Sequence, residues 1–277
     1  MKNRTIAIIQ ARMGATRLPG KVLLDIGGKP MLVRVVERLR QASLLDEILV
    51  ATTSTEQDDV VAENCRIWGY PVYRGSPQDV LDRYYQAALR SGARIVVRIT
   101  ADCPVIDPGL VDETIRARSR TRADYATNRL PPPWKRTYPI GLDVETCTFQ
   151  ALKRAWQEAD QKYQREHVMP FFYEGIPFDI PGRTKHWLTV SHYGFRVLVL
   201  NHWPDYGSLR WTVDTVEDLT LMRLIYDRFD GRNDFSWLEL LELFKSQPEL
   251  SAINANVVHK TAFDTDSRAA DGTEKAL

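Results

Sequence analysis

The strongest constraint on the fold is an alternation in the first half of the chain. Four runs rich in Ile and Val, "TIAIIQA", "EILVATT", "YPVYRG" and "RIVVRIT", each have the length of a buried strand. Helix-like segments separate them: "MLVRVVERLRQASL", "TEQDDVVAENCRIWG" and "PQDVLDRYYQAALRSG". In the first of these, Leu32, Val35, Val36 and Leu39 recur at helical spacing, and Arg34, Glu37, Arg38 and Arg40 cover the other face. Pro30 before it, and Gly69 and Gly92 after the other two, are suitable helix punctuation. Strands that alternate with helices imply βαβ units. The prediction is an α/β fold with a mostly parallel central sheet flanked by helices.

The pattern changes after about residue 124. "NRLPPPWKRTYPIG" is a proline-rich loop, followed by a strand at "LDVETCTF" and a helix from roughly Gln150 to Asp160. A further helix is expected near "QREHVMPFF", and strands at "FRVLVLN" and "LRWTVD". "TVEDLTLMRLIYDRF" reads as a helix capped at Thr215, and "SWLELLELFKSQPEL" as a final amphipathic helix. From His259 the chain is polar and is expected to be disordered over 259–277.

Composition excludes several function classes. The 37 basic and 36 acidic side chains nearly cancel, which argues against a broad footprint for nucleic acid. Arg116, Arg118, Arg120 and Arg122 do not share one helix face, and they fall at a helix end where cations are favourable. No apolar run approaches the ~20 residues of a membrane-spanning helix. The opening residues lack a secretory signal pattern. Three scattered cysteines, Cys65, Cys103 and Cys147, fit a reducing compartment. A cytoplasmic protein is expected, with no membrane or nucleic-acid partner.

The loop after the first strand, "QARMGATRLPGK", collects Arg12, Arg17 and Lys21 together with Gly14 and Gly20. Loops at the carboxyl ends of strands in an open α/β sheet are where ligands bind. Glycines let backbone N–H groups approach a ligand, and the three cations supply charge-assisted donors for phosphate. The alternative is a solvated surface loop. "GATRLPGKV" misses the P-loop pattern by one residue of spacing, and it has Val22 where a hydroxyl should stand. Two aspartates follow at predicted strand ends: Asp102 in "RITADCPVID" and Asp214 in "RWTVDTVEDL". Such a pair suits Mg²⁺, which takes one or two carboxylates and completes its shell with phosphate oxygens and water. Each also has a structural reading, Asp102 in the turn before Pro104 and Asp214 as a helix cap. Asp107, Glu217 and Asp218 are read as helix-start residues.

These segments in their order carry a resemblance. "QARMGATRLPGKVLLDIGGKPML", "VYRGSPQDVLDRYYQAA", "VVRITADCPVIDP", "TYPIGLDVETCTF", "REHVMPFF" and "LRWTVDTVEDL" together resemble the sugar cytidylyltransferases, with the spore-coat polysaccharide branch as the nearest match. The likeness runs to about residue 257. It implies a Rossmann-like nucleotide-diphospho-sugar transferase fold, GT-A-like, with a smaller acceptor and dimerisation lobe. One domain over 1–258 would comprise a nucleotide-binding half (1–124), an acceptor and dimerisation insert (125–209) and a return to the core (210–258).

The implied reaction transfers CMP from CTP to a small acidic acceptor, a sialic-acid-like or other 2-keto-3-deoxy acid, with Mg²⁺ as cofactor and a homodimer as the assembly. Arg12, Arg17 and Lys21 would hold the triphosphate and stabilise the departing pyrophosphate, while Asp102 and Asp214 would hold the metal. Gln10, Ala11, Gly14, Thr52, Arg74, Gly75, Ser76 and Thr100 complete the expected nucleotide site. Relatives often have Ser at the position of Ala15, so one phosphate contact is expected to be missing.

Asp143 and Glu145 alternate on one predicted strand face and are expected, with Glu166 and His167, to meet the acceptor. Trp134, Lys135 and Arg136 are expected in a flap or an exposed interface loop. Asp79 and Arg83 are four apart, the spacing of an ordinary helix ion pair. Three rival readings stand beside this one: a glycosyltransferase that consumes a nucleotide sugar, a cytidylyltransferase for a phosphonate or non-sugar acid, and a non-catalytic nucleotide-binding protein.

Overall fold

The computed structural model describes residues 4–259, 261 and 263. Most of the tail expected to be disordered therefore lies outside the described residues. Ten strands form among the described residues: β1 (Thr5–Gln10), β2 (Asp25–Ile26), β3 (Lys29–Pro30), β4 (Glu47–Thr53), β5 (Val72–Gly75), β6 (Ile95–Thr100), β7 (Tyr125–Thr127), β8 (Glu145–Thr148), β9 (His186–Val190) and β10 (Arg196–Leu200). Nine α-helices accompany them among the described residues: α1 (Met31–Leu39), α2 (Asp59–Ile67), α3 (Val80–Ser91), α4 (Pro108–Thr121), α5 (Phe149–Glu158), α6 (Lys162–His167), α7 (Pro170–Tyr173), α8 (Val216–Arg228) and α9 (Trp237–Ser246).

Eight strands make one sheet in the order β5-β4-β1-β6-β8-β7-β10-β9, and β2 and β3 pair separately. The β5-β4-β1-β6 half is parallel throughout. In the second half, β8 runs antiparallel to both β6 and β7, and β9 runs antiparallel to β10. The segment expected as a strand at "LRWTVD" forms only an isolated bridge from Arg210 to Ile140. It still lies against the loop after β6, because Val213 N–H donates to the Asp102 carbonyl at 2.9 Å.

Strand periodicity explains the two cores. Ala7 and Ile9 of β1 point to one face of the sheet, where they pack with Val35, Val36 and Leu39 of α1 and Met222 and Ile225 of α8. Ile6 and Ile8 point to the other face, against Leu81 and Tyr84 of α3 and Leu152 of α5. A parallel sheet buried on both faces needs the near-continuous apolar runs seen in the sequence. β1 also marks the topological switch. Its crossover to β4 lies on one side and β6 on the other, and such a point opens a crevice at the strands' carboxyl ends.

Candidate active site

The crevice is a cavity of about 190 Å³ lined by Gln10, Arg12, Ala15, Thr16, Arg17, Lys21, Val22, Thr100, Ala101, Asp102 and Asp214. The loop above β1 is built to stay closed. Gly20 N–H and Ala15 N–H both donate to the Met13 carbonyl, at 2.8 and 2.9 Å. Gly20 takes a left-handed φ of +70°, which a side chain would resist, and this turns the chain into the short 3₁₀ helix Lys21–Leu23. Buried Asp58 holds the loop's other end by accepting from Met13 N–H at 2.7 Å and from the Thr53 hydroxyl.

Lys21 is the centre of the site. Its ammonium donates to Asp102 Oδ2 at 2.7 Å, to Asp214 Oδ1 at 2.8 Å and to the Val213 carbonyl at 2.8 Å. The two aspartates, far apart in sequence, thus converge on one point. Arg17 and Arg210 both reach Asp214 Oδ2 at 2.8 Å. Burial works against charge on both Lys21 and Asp214, but their mutual attraction prevails. The Lys21 pKa lies above the ordinary lysine value, and Lys21 with Arg17 and Arg210 holds the Asp214 carboxyl well below the usual carboxylate range. Asp218 supplies the support. It is fully buried, closes the capping box of α8 with Thr215 and grips Arg210 through two bonds of 2.9 Å. Its reading as a helix-start residue holds, and positioning Arg210 is a second task. Asp107 likewise caps α4, accepting from Leu110 N–H at 2.9 Å.

Several other expected nucleotide-site residues have structural partners. Arg74 donates to the carbonyls of Thr53 and Thr55, both at 2.9 Å, and pairs with Asp59. Gly75 ends β5, and a Cβ there would meet the Tyr73 ring at 2.8 Å. Ser76 Oγ accepts from Asp79 N–H at 3.0 Å, in the turn leading into α3. Thr52 is buried, and its hydroxyl has no hydrogen-bond partner among the described residues. Ala11 N–H donates to the Ala51 carbonyl, Gly14 has room for a side chain, and Thr100 Oγ1 lies 3.2 Å from Cys103 Sγ. The Asp79–Arg83 ion pair does not form. Asp79 caps α3 and pairs with Arg165 of α6, while Arg83 donates to the Ser76 carbonyl at 2.6 Å.

The acceptor side differs from expectation. Asp143 precedes β8 and Glu145 begins it, but both carboxylates are already paired with arginines. Arg136 and Arg129 hold Asp143, and Arg98 and Arg129 hold Glu145, which is only 2% exposed. Tyr125 donates its hydroxyl to Glu145 at 2.8 Å, and Arg98 Nη2 reaches the Gln10 amide oxygen at 3.1 Å, linking this cluster to the cavity. Burial raises the Asp143 pKa, but Arg136 and Arg129 outweigh it and leave the group below its ordinary value.

Trp134 is buried against Tyr173 and Phe178, which corrects the flap reading; Lys135 beside it is exposed and pairs with Asp179. Glu166 and His167 lie on α6 and are not among the residues lining the cavity. Of the arginine row at the end of α4, Arg118 is buried and donates to the Ala123 carbonyl, and the other three are exposed. Sequence reasoning missed Arg98, Arg129 and Arg210. The only local trace was the four-residue spacing of Arg210 and Asp214.

Hard oxygen donors that converge beside guanidinium groups at a sheet switch point suit a polyphosphate and its counter-cation. Comparison with known proteins narrows the chemistry. The spore coat polysaccharide biosynthesis protein SpsF of Bacillus subtilis is 33% identical over 254 residues, covering 89% of this chain and 96% of its own. A solved cytidylyltransferase from Leptospira borgpetersenii superposes with a TM-score of 0.77 at 30% identity, covering 90% of this chain and 97% of that one. CMP:2-keto-3-deoxy-manno-octonic acid synthetase, solved with CTP, shares the fold at a TM-score of 0.58 and 18% identity, over 82% of this chain and 99% of that one. The cytidylyltransferase family pattern matches residues 6–227, and with that match this chain belongs to the cytidylyltransferases, enzymes of nucleotidyl transfer.

Proposed function

We propose that this enzyme transfers CMP from CTP to an acidic sugar of the 2-keto-3-deoxy acid class and releases pyrophosphate, with Mg²⁺ as cofactor. The observation that carries the reading is the meeting of Asp102, Asp214 and Lys21 beneath the Arg12 and Arg17 loop. The triphosphate lies against Arg12 and Arg17, whose fixed positive charge stabilises the oxygens of the leaving pyrophosphate. The acceptor oxygen attacks the α-phosphorus in line. One P–O bond forms as the α–β bridge breaks, and no covalent enzyme intermediate is needed.

Asp102 and Asp214 are the residues to hold Mg²⁺. Two carboxylates and a carbonyl directed at one point are the hard, sparse donor set that this ion accepts. When bound, Mg²⁺ neutralises phosphate charge.

An acidic acceptor is supported by the cluster beside the cavity. Three guanidinium groups, Arg98, Arg129 and Arg136, face two carboxylates, Asp143 and Glu145, so the cluster keeps an excess of positive charge. In this reading Asp143 and Glu145 serve the acceptor indirectly by fixing the arginines. A carboxylate held below its ordinary pKa is also a poor general base. The names of the related proteins point the same way, to polysaccharide biosynthesis for SpsF and to a 2-keto-3-deoxy acid for the CTP-bound synthetase.

The test is pyrophosphate release with Mg²⁺ and each nucleoside triphosphate, against a panel of 2-keto-3-deoxy acids, neutral sugars and phosphonates. Release with CTP and one acid is expected. Turnover of a neutral sugar in preference to every acid would overturn the acceptor assignment.

A further inference from the structure

Lys21 poses a question that the nucleotide-transfer reading leaves open. An ammonium has three donors. All three are used here, on Asp102, Asp214 and the Val213 carbonyl, at 2.7, 2.8 and 2.8 Å. No donor remains for a phosphate. The three oxygens that surround Nζ are also those best placed to receive a divalent cation. An ammonium and a metal ion cannot share that point, since both positive charges would have to sit between the same carboxylates.

We propose that Lys21 is the built-in counter-ion of the metal site: its ammonium holds the place between Asp102 and Asp214, and the metal enters only as Lys21 swings out to an incoming triphosphate. This rests on the proposed role of the two aspartates as metal ligands.

Local structure supports such an exchange. Lys21 begins a one-turn 3₁₀ helix after left-handed Gly20, so its backbone is fixed while the long side chain can rotate. The backbone behind the acceptors is fixed independently of Lys21. The Val213 N–H and the Thr212 hydroxyl each donate to the Asp102 carbonyl at 2.9 Å. Asp214 accepts from Arg210, which Asp218 anchors. The backbone that carries both aspartates, and the Asp214 carboxylate itself, therefore keep their places when the ammonium leaves. A triphosphate offers Lys21 new anionic partners as the carboxylates gain theirs, so charge stays balanced throughout. The consequence is that metal affinity in the absence of nucleotide is reduced by the fraction of molecules in which Lys21 has left.

The experiment is Mn²⁺ binding to the nucleotide-free protein, read by the electron paramagnetic resonance signal of the free ion. Lys21→Gln should bind Mn²⁺ tighter than the unsubstituted protein by about ten-fold or more, while Lys21→Arg, which keeps the charge, should not. Thermal unfolding provides a second reading if Lys21→Gln folds poorly alone. Its midpoint should rise with added Mn²⁺, and the midpoint of the unsubstituted protein should not. Equal Mn²⁺ affinity in the unsubstituted protein and Lys21→Gln would overturn the counter-ion role. Adding Asp102→Asn to Lys21→Gln should abolish the gain. A gain that survives would place the metal elsewhere, so it would refute the aspartate assignment separately from the exchange.

Discussion

The two sides of the cavity handle charge in opposite ways. On the nucleotide side, charges meet around a single, partly open point: Lys21, Arg17 and Arg210 all converge on Asp214, which remains one-fifth exposed at its side chain. On the acceptor side, Arg98, Arg129 and Arg136 are locked against Asp143 and Glu145 with little access to solvent. In the proposed reading, the first arrangement exchanges partners when a polyphosphate and its metal arrive. The second is a buried network whose partners cannot be replaced by water, so it acts as a rigid wall. Exchangeable charge is needed where ligands carry several charges of their own. Fixed charge is needed where an acceptor must be held in one orientation.

The largest expected effect tests the exchangeable side. Lys21→Ala should lower kcat/KM with CTP by about 10³-fold, in the range found when a group that stabilises transition-state charge is removed. The substitution also leaves Asp102 and Asp214 without their shared ammonium, so thermal stability should fall as well, and added Mn²⁺ should restore it. Turnover within a few-fold of the unsubstituted enzyme would show that Lys21 takes no part in the chemistry.

The next effect tests the fixed side. Glu145→Ala strands buried Arg98 and removes the partner of Tyr125, so unfolding free energy should drop by about 3 kcal/mol or more. Arg98→Met combined with Glu145→Leu should recover much of that loss, because paired removal leaves no lone charge. Urea unfolding of the two single variants and the double variant measures the coupling. Additive losses would mean that the pair is not the buried unit its geometry indicates.

The same contrast explains what the sequence could reveal. The first loop puts Arg12, Arg17 and Lys21 within one stretch directly after an apolar run, so both its place and its chemistry are visible locally. Helix starts were equally legible at Asp107 and Thr215, because a cap is a contact three residues long. The parallel half of the sheet followed from strand and helix periods. β7 and β9 did not, since a three-residue strand and a half-exposed edge strand carry too short a pattern. The arginine wall was hidden for a different reason. Arg98 lies on β6 while Arg129 and Arg136 lie on the proline-rich loop, and Glu145 meets Arg98 only because β6 and β8 pair with those two residues in register. Gly141 shows the same dependence on distant chain: at φ +104° a Cβ there would fall 2.3 Å from the Trp211 carbonyl oxygen, a clash that "TYPIGLDVE" alone does not announce.

The smallest expected effect is in pH dependence, and it separates two acids-side limbs by residue. His259 packs near Arg129, Arg136 and Arg210; burial first, then Arg129 and Arg136, depress its pKa from 6.5 to about 4, with Asp143 pulling the other way. The unfolded chain then binds a proton that the folded one refuses, so stability is lost as pH falls from about 6.5 toward 4. Asp214 acts lower. Its folded pKa lies below the ordinary 3.8, so its contribution is present above that value and is lost as pH falls through the folded one. Urea unfolding between pH 7 and 3 should therefore show His259→Gln flattening the upper limb and Asp214→Asn flattening the lower. A His259 imidazole that titrates near 6.5 by NMR would detach it from the arginine wall and leave the upper limb to other groups.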